Sequence, residues 1–175
     1  MISSTTADWS REAIRCYWDP SRKLLHHLQA HQAQTSAGPL AGLRRRWHAF
    51  WQRMWSVICG ADIPLNCRIE GGLVMPHPQG IVLHPHAVIG PNCLLFQQVT
   101  IGTGGSRSGC PRIGGHVDIG AGAKVFGGVL IGDHAKIGAN AVVLCDVPPH
   151  ATAVGIPARV ILCEVEERVV HEPSV

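Results

Sequence analysis

The sequence predicts a mainly β protein in which the chain winds into a prism, preceded by an N-terminal helical segment. From residue 113 onward, isoleucine or valine recurs at every sixth position, and a small apolar residue follows four places after each. These leading positions are Ile113, Ile119, Val125, Ile131, Ile137 and Val143. A period of six fits neither a helix nor an alternating strand, but it fits one short strand on each face and a turn at each corner. We expect the leading residue to point inward and the glycine that often follows it to adopt the corner dihedral angles.

The same period runs through the preceding part of the chain, where it is interrupted twice. Leading residues are six apart from Ile63 to Met75, and the regular spacing resumes at Leu83 after a slip of two residues. The slip falls on residues 76–80, and a break in a strict repeat marks a place where function has displaced regularity. The second interruption, residues 103–111, is rich in glycine and serine. It predicts a loop that leaves the prism and whose length preserves the six-residue period on either side.

The first part of the chain has the pattern of helices. We predict helices over residues 9–18, 23–34 and 40–59, the first with Asp8 as its N-cap. All five tryptophans lie in this half, and aromatic residues at helical spacing are usually core. We therefore expect them to pack the helices onto each other and onto the end of the prism. The expected domains are a helical domain (1–59), the prism (60–160), and a cap and tail (161–175).

Composition excludes several classes of protein. A hydrophobic content of 46% and a charged content of 15% argue against disorder. The net charge is +3, but the basic residues form no stripe, so no nucleic-acid partner is expected. The sequence contains no run of eighteen apolar residues, so no membrane span is predicted. The N-terminus lacks the basic and apolar regions of a signal peptide. We expect a cytoplasmic protein.

The cysteines predict neither a disulfide framework nor a metal site. There are seven, an odd number, and none has the C-x-x-C spacing. Cys67 and Cys93 occupy the inward position four residues after a leading residue, where a small thiol packs like alanine. None of the seven has the sequence context of a nucleophile, so no acyl-enzyme is expected. Four histidines of the prism are expected to lie at surface corners: His84, His86, His116 and His134.

Four segments carry a specific resemblance to a known family. The hexapeptides resemble those of the left-handed parallel β-helix acyltransferases, and the handedness is implied by this resemblance alone. Within that group the chain resembles the serine acetyltransferases over about residues 55–162. The segments that carry this resemblance are residues 62–63, 76–82, 97–103 and 147–158. The implied activity is transfer of acetyl from acetyl-CoA to a hydroxyl group of a small molecule.

The family's catalytic dyad is a histidine with an aspartate fifteen residues upstream, which matches His77 and Asp62. The residues themselves agree with these roles. Fifteen residues make nearly one three-sided coil, so both side chains can project toward one spot. A neutral imidazole suits removal of a hydroxyl proton, and a carboxylate can fix its tautomer. The alternative is that His77 only occupies a proline-rich corner.

The resemblance places acetyl-CoA in the groove between adjacent prisms. It implies binding by backbone groups at Gly102, Thr103, Ala121 and Ala139. Lys124 and Lys136 are candidates for the CoA phosphates, or else solvated corner lysines. Because one prism offers three flat faces and the family's site needs a neighbour's wall, we expect a homotrimer, with two trimers stacked through the helices as a further form.

The chain also departs from the family in ways that bear on the acceptor. Pro76 stands where the family has an aspartate that holds the substrate amine, and Gly109-Cys110 replaces an Arg-His pair that binds its carboxylate. Arg107 and Arg112 lie nearby. Serine or a serine-like acceptor, with a place in cysteine biosynthesis, therefore competes with a sugar hydroxyl of a surface polysaccharide. A non-catalytic binding or regulatory prism is a second alternative. The sequence does not identify the acceptor or any feedback control.

Overall fold

The N-terminal segment is helical in the computed structural model, which describes residues 2–34, 38–105 and 107–161. Its elements are a 3₁₀ helix at Trp9–Glu12, helix α1 at Pro20–Gln32 and helix α2 at Pro39–Cys59. Helix α1 packs on α2 through Leu24, Leu25 and Leu28, which are almost completely buried. Neither described α-helix is both long enough and apolar enough to cross a membrane.

The first predicted helix is wrong in length. Asp8 caps it as expected, because its carboxylate accepts the Ser10 backbone N–H at 3.0 Å, but the helix ends after one turn at Glu12. The buried Glu12 carboxylate accepts the backbone N–H of Leu73 at 2.9 Å, and Arg11 donates to the Asn92 carbonyl. These contacts hold the segment against the prism, so tertiary bonding overrides the local helical pattern.

All five tryptophans make the kind of contact that was predicted, since Trp9 lies against Gly71 of the prism, Trp18 contacts Trp55 and Trp47 contacts Trp51, but only two of them belong to the core. Trp55 is buried and Trp51 packs against the core. Trp9, Trp18 and Trp47 are 58–62% exposed. Since α1 covers only one side of α2, the other side keeps a row of exposed apolar side chains, here called the α2 apolar face. Its members are Leu40, Leu43, Trp47, Phe50, Met54, Val57 and Ile58.

The prism consists of three parallel sheets, one for each face, in the described part of the chain. The first contains β1 (Arg68–Ile69), β3 (Val88–Ile89), β6 (Arg112–Ile113) and β9 (Leu130–Ile131). The second contains β2 (Val82–Leu83), β5 (Thr100–Gly102), β8 (Lys124–Phe126) and β11 (Val142–Val143). The third contains β4 (Leu94–Leu95), β7 (Asp118–Ile119), β10 (Lys136–Ile137), β12 (Thr152–Val154) and the antiparallel β13 (Arg159–Ile161).

The interior of the prism follows the predicted period. Ile119, Val125 and Ile131 are completely buried, as are the residues four places further on, such as Ala123 and Ala135. Cys67 and Cys93 are also buried, as predicted. Each coil therefore contributes a layer of small and branched apolar side chains to one continuous core. The predicted terminal cap begins with β13, and residues 162–175 lie outside the described part of the chain.

The role predicted for the glycine after each leading residue is wrong. Positive φ occurs two residues further on, for example at His116 (53°) and His134 (59°), where the polar side chain tolerates the left-handed region. The glycine is needed for close approach between coils instead. A Cβ on Gly90 would lie 2.6 Å from the carbonyl carbon of Gly114, and one on Gly132 would lie 2.4 Å from the nitrogen of Pro149.

Both interruptions of the period are confirmed by the strand register. Asp62 bridges to Val82 twenty residues later, whereas Val82 pairs with Thr100 after eighteen. The coil that contains residues 76–80 is thus two residues longer than a regular coil. Thr100 pairs with Lys124 after twenty-four, so the loop at 103–111 adds six residues, one hexapeptide, and leaves the register unchanged.

Candidate active site

His77 lies at the enlarged corner between Val74 and β2. The corner is closed by the Gly80 amide (φ 69°), which donates to the Gly60 carbonyl at 2.7 Å, and by the Ile81 amide, which donates to Pro78. His77 is exposed at this turn. The extra residues therefore project an imidazole from the prism surface rather than adding to the core.

Asp62 lies next to the same corner, at the start of the face that contains β2. Its amide donates to the Ile81 carbonyl at 2.8 Å, and its carbonyl accepts from Leu83 at 2.9 Å. Its side chain is exposed. Within the described residues of this single chain, no hydrogen bond joins the Asp62 carboxylate to the His77 imidazole. The fold brings the two residues to one corner without pairing their side chains.

The residues predicted for acetyl-CoA are only partly brought together. Ala121 and Ala139 occupy the same corner of successive coils, since the Asn140 amide donates to the Ala121 carbonyl at 2.8 Å. Gly102 ends β5, and the exposed Thr103 follows it. Lys124 lies on β8, the neighbour of β5, and its Nζ donates to the Gln98 carbonyl at 2.6 Å.

Lys136 lies on a different face of the prism from the other candidate lysine. It is exposed on β10, which belongs to a different face from β8. The two candidate lysines therefore lie on two different faces, which meet at the corner of Ala121 and Ala139.

Pro76 and Pro78, the two chain neighbours of His77, line a cavity of about 490 Å³ that contains a carboxylate which the sequence analysis did not single out. The His77 side chain itself does not line this cavity. The cavity is also lined by Asp19 and the arginines Arg11 and Arg15, among other residues. Asp19 looked like a helix boundary only. It precedes helix α1, but its side chain makes no capping hydrogen bond there.

The Asp19 carboxylate is held in its ionised form. Burial would raise the pKa of Asp19, but hydrogen bonds from the Arg22 guanidinium at 2.9 Å and the Arg15 amide at 3.2 Å outweigh it and lower that pKa. The cavity next to His77 thus contains one anionic group and at least two cationic groups.

Of the two arginines near the glycine-rich loop, one is already paired. Arg107 makes an ion pair with Asp146 at 2.7 Å, and this pair lowers the pKa of Asp146. Arg112 is exposed on β6 and lines a cleft of about 400 Å³ together with Cys110. Arg112 is therefore the arginine that remains available next to Cys110.

Cys110 lies beside an imidazole, a contact that the sequence analysis did not predict. Its Sγ lies 3.1 Å from Nδ1 of His84. The two residues are twenty-six apart and belong to no shared motif, so only the return of the loop onto the prism brings them together. By contrast, burial raises the pKa of Cys59 to about 11 and that of Cys67 and Cys93 to about 12.

The predicted surface histidines include a stacked column. His116, His134 and His150 occupy the same corner of successive coils. Nδ1 of His116 lies 2.9 Å from Nδ1 of His134, and the rings of His134 and His150 stack at 4.8 Å. Burial lowers the pKa of His116. In the described part of the chain, no group of three or more His, Cys, Asp or Glu side chains has the arrangement of a metal site.

Comparison with known proteins gives a consistent set of relatives, although no family model matches the chain. The serine acetyltransferase of Synechococcus elongatus is 43% identical over 107 residues, which covers 60% of this chain and 44% of the relative. That of Escherichia coli K12 is 43% identical over 120 residues, with coverages of 67% and 44%. The chain spans less than half the length of these relatives.

Solved structures of serine acetyltransferases also resemble this chain. Brucella abortus serine acetyltransferase in complex with coenzyme A superposes with a TM-score of 0.68 and 34% identity, covering 83% of this chain and 56% of that one. The soybean enzyme complexed with serine gives a TM-score of 0.64 and 36% identity, with coverages of 81% and 56%.

The fold is a left-handed parallel β-helix built from hexapeptides, which confirms the predicted fold class. Within this class, the family assignment made from the four motif segments is also confirmed: along its β-helix the chain is a relative of the serine acetyltransferases.

Proposed function

We propose that this protein is an acetyl-CoA-dependent O-acetyltransferase that acetylates the hydroxyl group of serine or of a small serine-like acceptor. The observation that carries the proposal is the match of the β-helix to serine acetyltransferases at 43–44% identity, together with the likeness at 34–36% identity to solved serine acetyltransferases bound to coenzyme A and to serine. Production of an O-acetylated amino acid is the step that cysteine biosynthesis would use.

His77 is the proposed general base. The support is its exposure at the one corner where the coil gains two residues, so that the imidazole is free to meet an acceptor hydroxyl. Removal of a hydroxyl proton by a positioned histidine accelerates such a step by about 10²–10⁴-fold. Asp62, at the same corner, is proposed to orient the imidazolium and stabilise its charge. Catalytic hydrogen bonds are often loose before substrate binds, so the unpaired side chains are compatible with these roles.

Acetyl-CoA is the proposed cosubstrate, held along the corner that contains Ala121 and Ala139. Small residues at this corner leave the backbone accessible, and Gly102 and Thr103 are proposed to present backbone amides to the thioester oxygen. Lys124 is the better supported of the two candidate phosphate ligands, because it lies on the face of β5 and β8. Lys136 would reach the same ligand only around the corner.

The cavity beside His77 is the proposed acceptor site. A serine zwitterion needs an anionic group for its ammonium and a cationic group for its carboxylate. Asp19 can supply the first only by giving up part of its pairing with Arg22, and Arg11 or Arg15 can supply the second, in the same cavity as Pro76. These groups partly offset the two departures from the family pattern, which favours a small charged acceptor.

A sugar hydroxyl is the second candidate acceptor. The observation that favours it is Pro76, which gives the His77 corner a neutral side chain where an amine-binding carboxylate would be expected from the resemblance. A sugar has no ammonium group, so the absence of a carboxylate at this position does not weaken its binding. An acceptor of this kind would place the enzyme in polysaccharide modification.

A homotrimer is the proposed assembly, with two trimers stacked through the helices. The β-helix exposes apolar side chains on its faces, including Val82 (41%) and Leu130 (56%), and contact with a neighbouring prism would cover them. The α2 apolar face is a continuous row of the kind that marks an interaction site. In this proposal residues 1–59 mediate assembly, and residues 60–160 bind the two substrates and carry out the acetyl transfer. Residues 161–175 form the cap and tail.

A cytoplasmic location is part of the proposal. Its support is the state of the cysteines: all six in the described residues are free thiols, which suits a reducing compartment.

The test of the proposed function is release of free CoA thiol from acetyl-CoA. The purified protein would be assayed without acceptor, with serine and with a panel of hexoses and amino sugars. We expect release that depends on an acceptor, fastest with serine. Release with a sugar alone would move the function to the second candidate, and no release with any acceptor at high protein concentration would contradict the proposal.

A further inference from the structure

The pair formed by Cys110 and His84 lies outside the proposed general-base mechanism. Cys110 ends the glycine-rich loop just before β6, and His84 directly follows β2. The His84 amide donates to the Ile101 carbonyl at 2.8 Å, so His84 lies one coil away from Gly102 at the same corner. The loop leaves the prism after Gly102, and where it rejoins the prism its cysteine, Cys110, lies next to the His84 imidazole.

The hydrogen bonds around His84 define which partner holds the proton. The backbone N–H of His86 donates to His84 Nδ1 at 3.2 Å. A ring nitrogen that accepts a hydrogen bond carries no proton, so in the neutral ring the proton is on Nε2. With Nδ1 unprotonated, the Cys110 thiol is the donor in its 3.1 Å contact with Nδ1, and it shares the single lone pair of that nitrogen with the His86 N–H. This is the arrangement of a thiol next to its general base.

The neighbouring imidazole distinguishes Cys110 from the exposed Cys16, whose Sγ instead donates to the Trp18 carbonyl at 3.1 Å. Cys110 is partly exposed in the cleft that is also lined by Arg112. Cys59, Cys67 and Cys93 are buried and their pKa values are raised. Cys145 is exposed, but within the described residues no imidazole is hydrogen-bonded to it.

We propose that Cys110, with His84 as its base, is a nucleophilic thiol that takes an acyl group from a thioester. The Sγ–H proton passes to His84 Nδ1 while Sγ bonds to the carbonyl carbon of the thioester. The bond between that carbon and the leaving sulfur then breaks, and the leaving thiolate takes the proton from His84. One thioester replaces another, so no oxidant or reductant is needed. That acetyl-CoA is the natural donor rests on the proposed function; the reactivity of the thiol does not.

The test uses a donor that needs no CoA site. The full-length protein is treated with S-acetyl-N-acetylcysteamine, and acetylation of each cysteine is followed by intact mass and peptide mapping. We expect one acetyl group on Cys110, none in Cys110→Ala, and labelling at least about 10²-fold slower in His84→Gln, as for loss of a general base. Cys145→Ser is the matched control and should be labelled like the wild type.

A second measurement covers the case in which His84→Gln fails to fold. The alkylation rate of wild-type Cys110 by iodoacetamide near neutral pH should exceed that of Cys145 by about tenfold or more, since His84 lies within reach to take the Sγ–H proton as Sγ attacks. Equal rates of alkylation, or acetyl groups spread equally over Cys110 and Cys145, would overturn the proposal.

Failure of this proposal can be told apart from failure of the proposed function. Turnover of acetyl-CoA with an acceptor while Cys110 stays unlabelled by either thioester would overturn the nucleophilic thiol and leave the acetyltransferase intact. Labelling of Cys110 by the small thioester, without any acceptor-dependent use of acetyl-CoA, would support the thiol and contradict the function.

Discussion

Gly120 lies directly against Ala139 of the next coil, so closely that a Cβ on Gly120 would be 2.6 Å from the Ala139 amide nitrogen. Ala139 belongs to the corner proposed to hold acetyl-CoA. The spacing of the coils at that corner therefore depends on the absence of a side chain at Gly120, since backbone atoms cannot move aside as a flexible side chain can.

Gly120→Ala is expected to lower the free energy of unfolding by about 1–3 kcal/mol, the usual cost of overpacking a close contact. The matched control is Gly42→Ala in α2, where nothing lies within 4 Å of the new Cβ. That change should raise stability by about 0.5–1 kcal/mol, because alanine is the better helix former. Urea unfolding of both variants would measure the difference, and equal effects of the same sign would contradict the packing argument.

Stability should fall as the pH drops from 6.5 toward 4. Burial lowers the pKa of His27 from 6.5 to about 4, with smaller contributions from His26, His48 and Lys23. In this window the unfolded chain binds a proton that the folded chain excludes, so folding is fully favoured above pH 6.5 and loses free energy as the pH falls. His27→Gln should flatten this part of the profile, measured as the urea midpoint against pH. His150→Gln, an exposed control, should leave the slope unchanged.

Sequence periodicity predicted the inside of the prism well because each coil repeats the same environment. Ile119 and Ile131 could be placed in the core from spacing alone, and the slip at residues 76–80 was visible as a break in that spacing. The N-terminal segment was misjudged because Glu12 bonds to Leu73, sixty-one residues away. No local pattern encodes such a contact.

The site was predictable only where it follows the repeat. His77 and Asp62 were found from the slip and from the family motif. Asp19 was missed because its role depends on a cavity formed with Pro76. The pairing of Cys110 with His84 was missed because a loop without periodicity sets it.

The oligomer is expected to contain three chains, or six when the α2 apolar faces associate. Replacing Trp47 and Phe50 together by glutamate puts charges into that face and should reduce a six-chain assembly to trimers, while activity is retained. Arg53→Glu, also exposed on α2, is the control for added negative charge alone. Light scattering measures the mass, and a fully active wild-type monomer would refute the assembly.

Pro76→Asp should improve serine as the acceptor. The new carboxylate would lie beside His77 in the cavity that already contains Asp19, and would add a second partner for the serine ammonium. A charged partner gained at a partly buried site is worth on the order of tenfold or more in KM. Pro76→Asn, which removes the proline without adding a charge, is the matched control and should leave the KM for serine unchanged. A low wild-type KM for serine that Pro76→Asp leaves unchanged or worsens would mean that the acceptor is bound by other groups.

The most direct test of the account is acceptor-dependent release of CoA thiol from acetyl-CoA by the wild type and by His77→Ala. We predict that the variant folds and assembles normally but turns over about 10²–10⁴-fold more slowly, as expected for loss of a general base. His150→Ala, a histidine at another corner of the β-helix, should keep wild-type turnover. A correctly folded His77→Ala protein with undiminished turnover would contradict the assignment of His77 as the catalytic base.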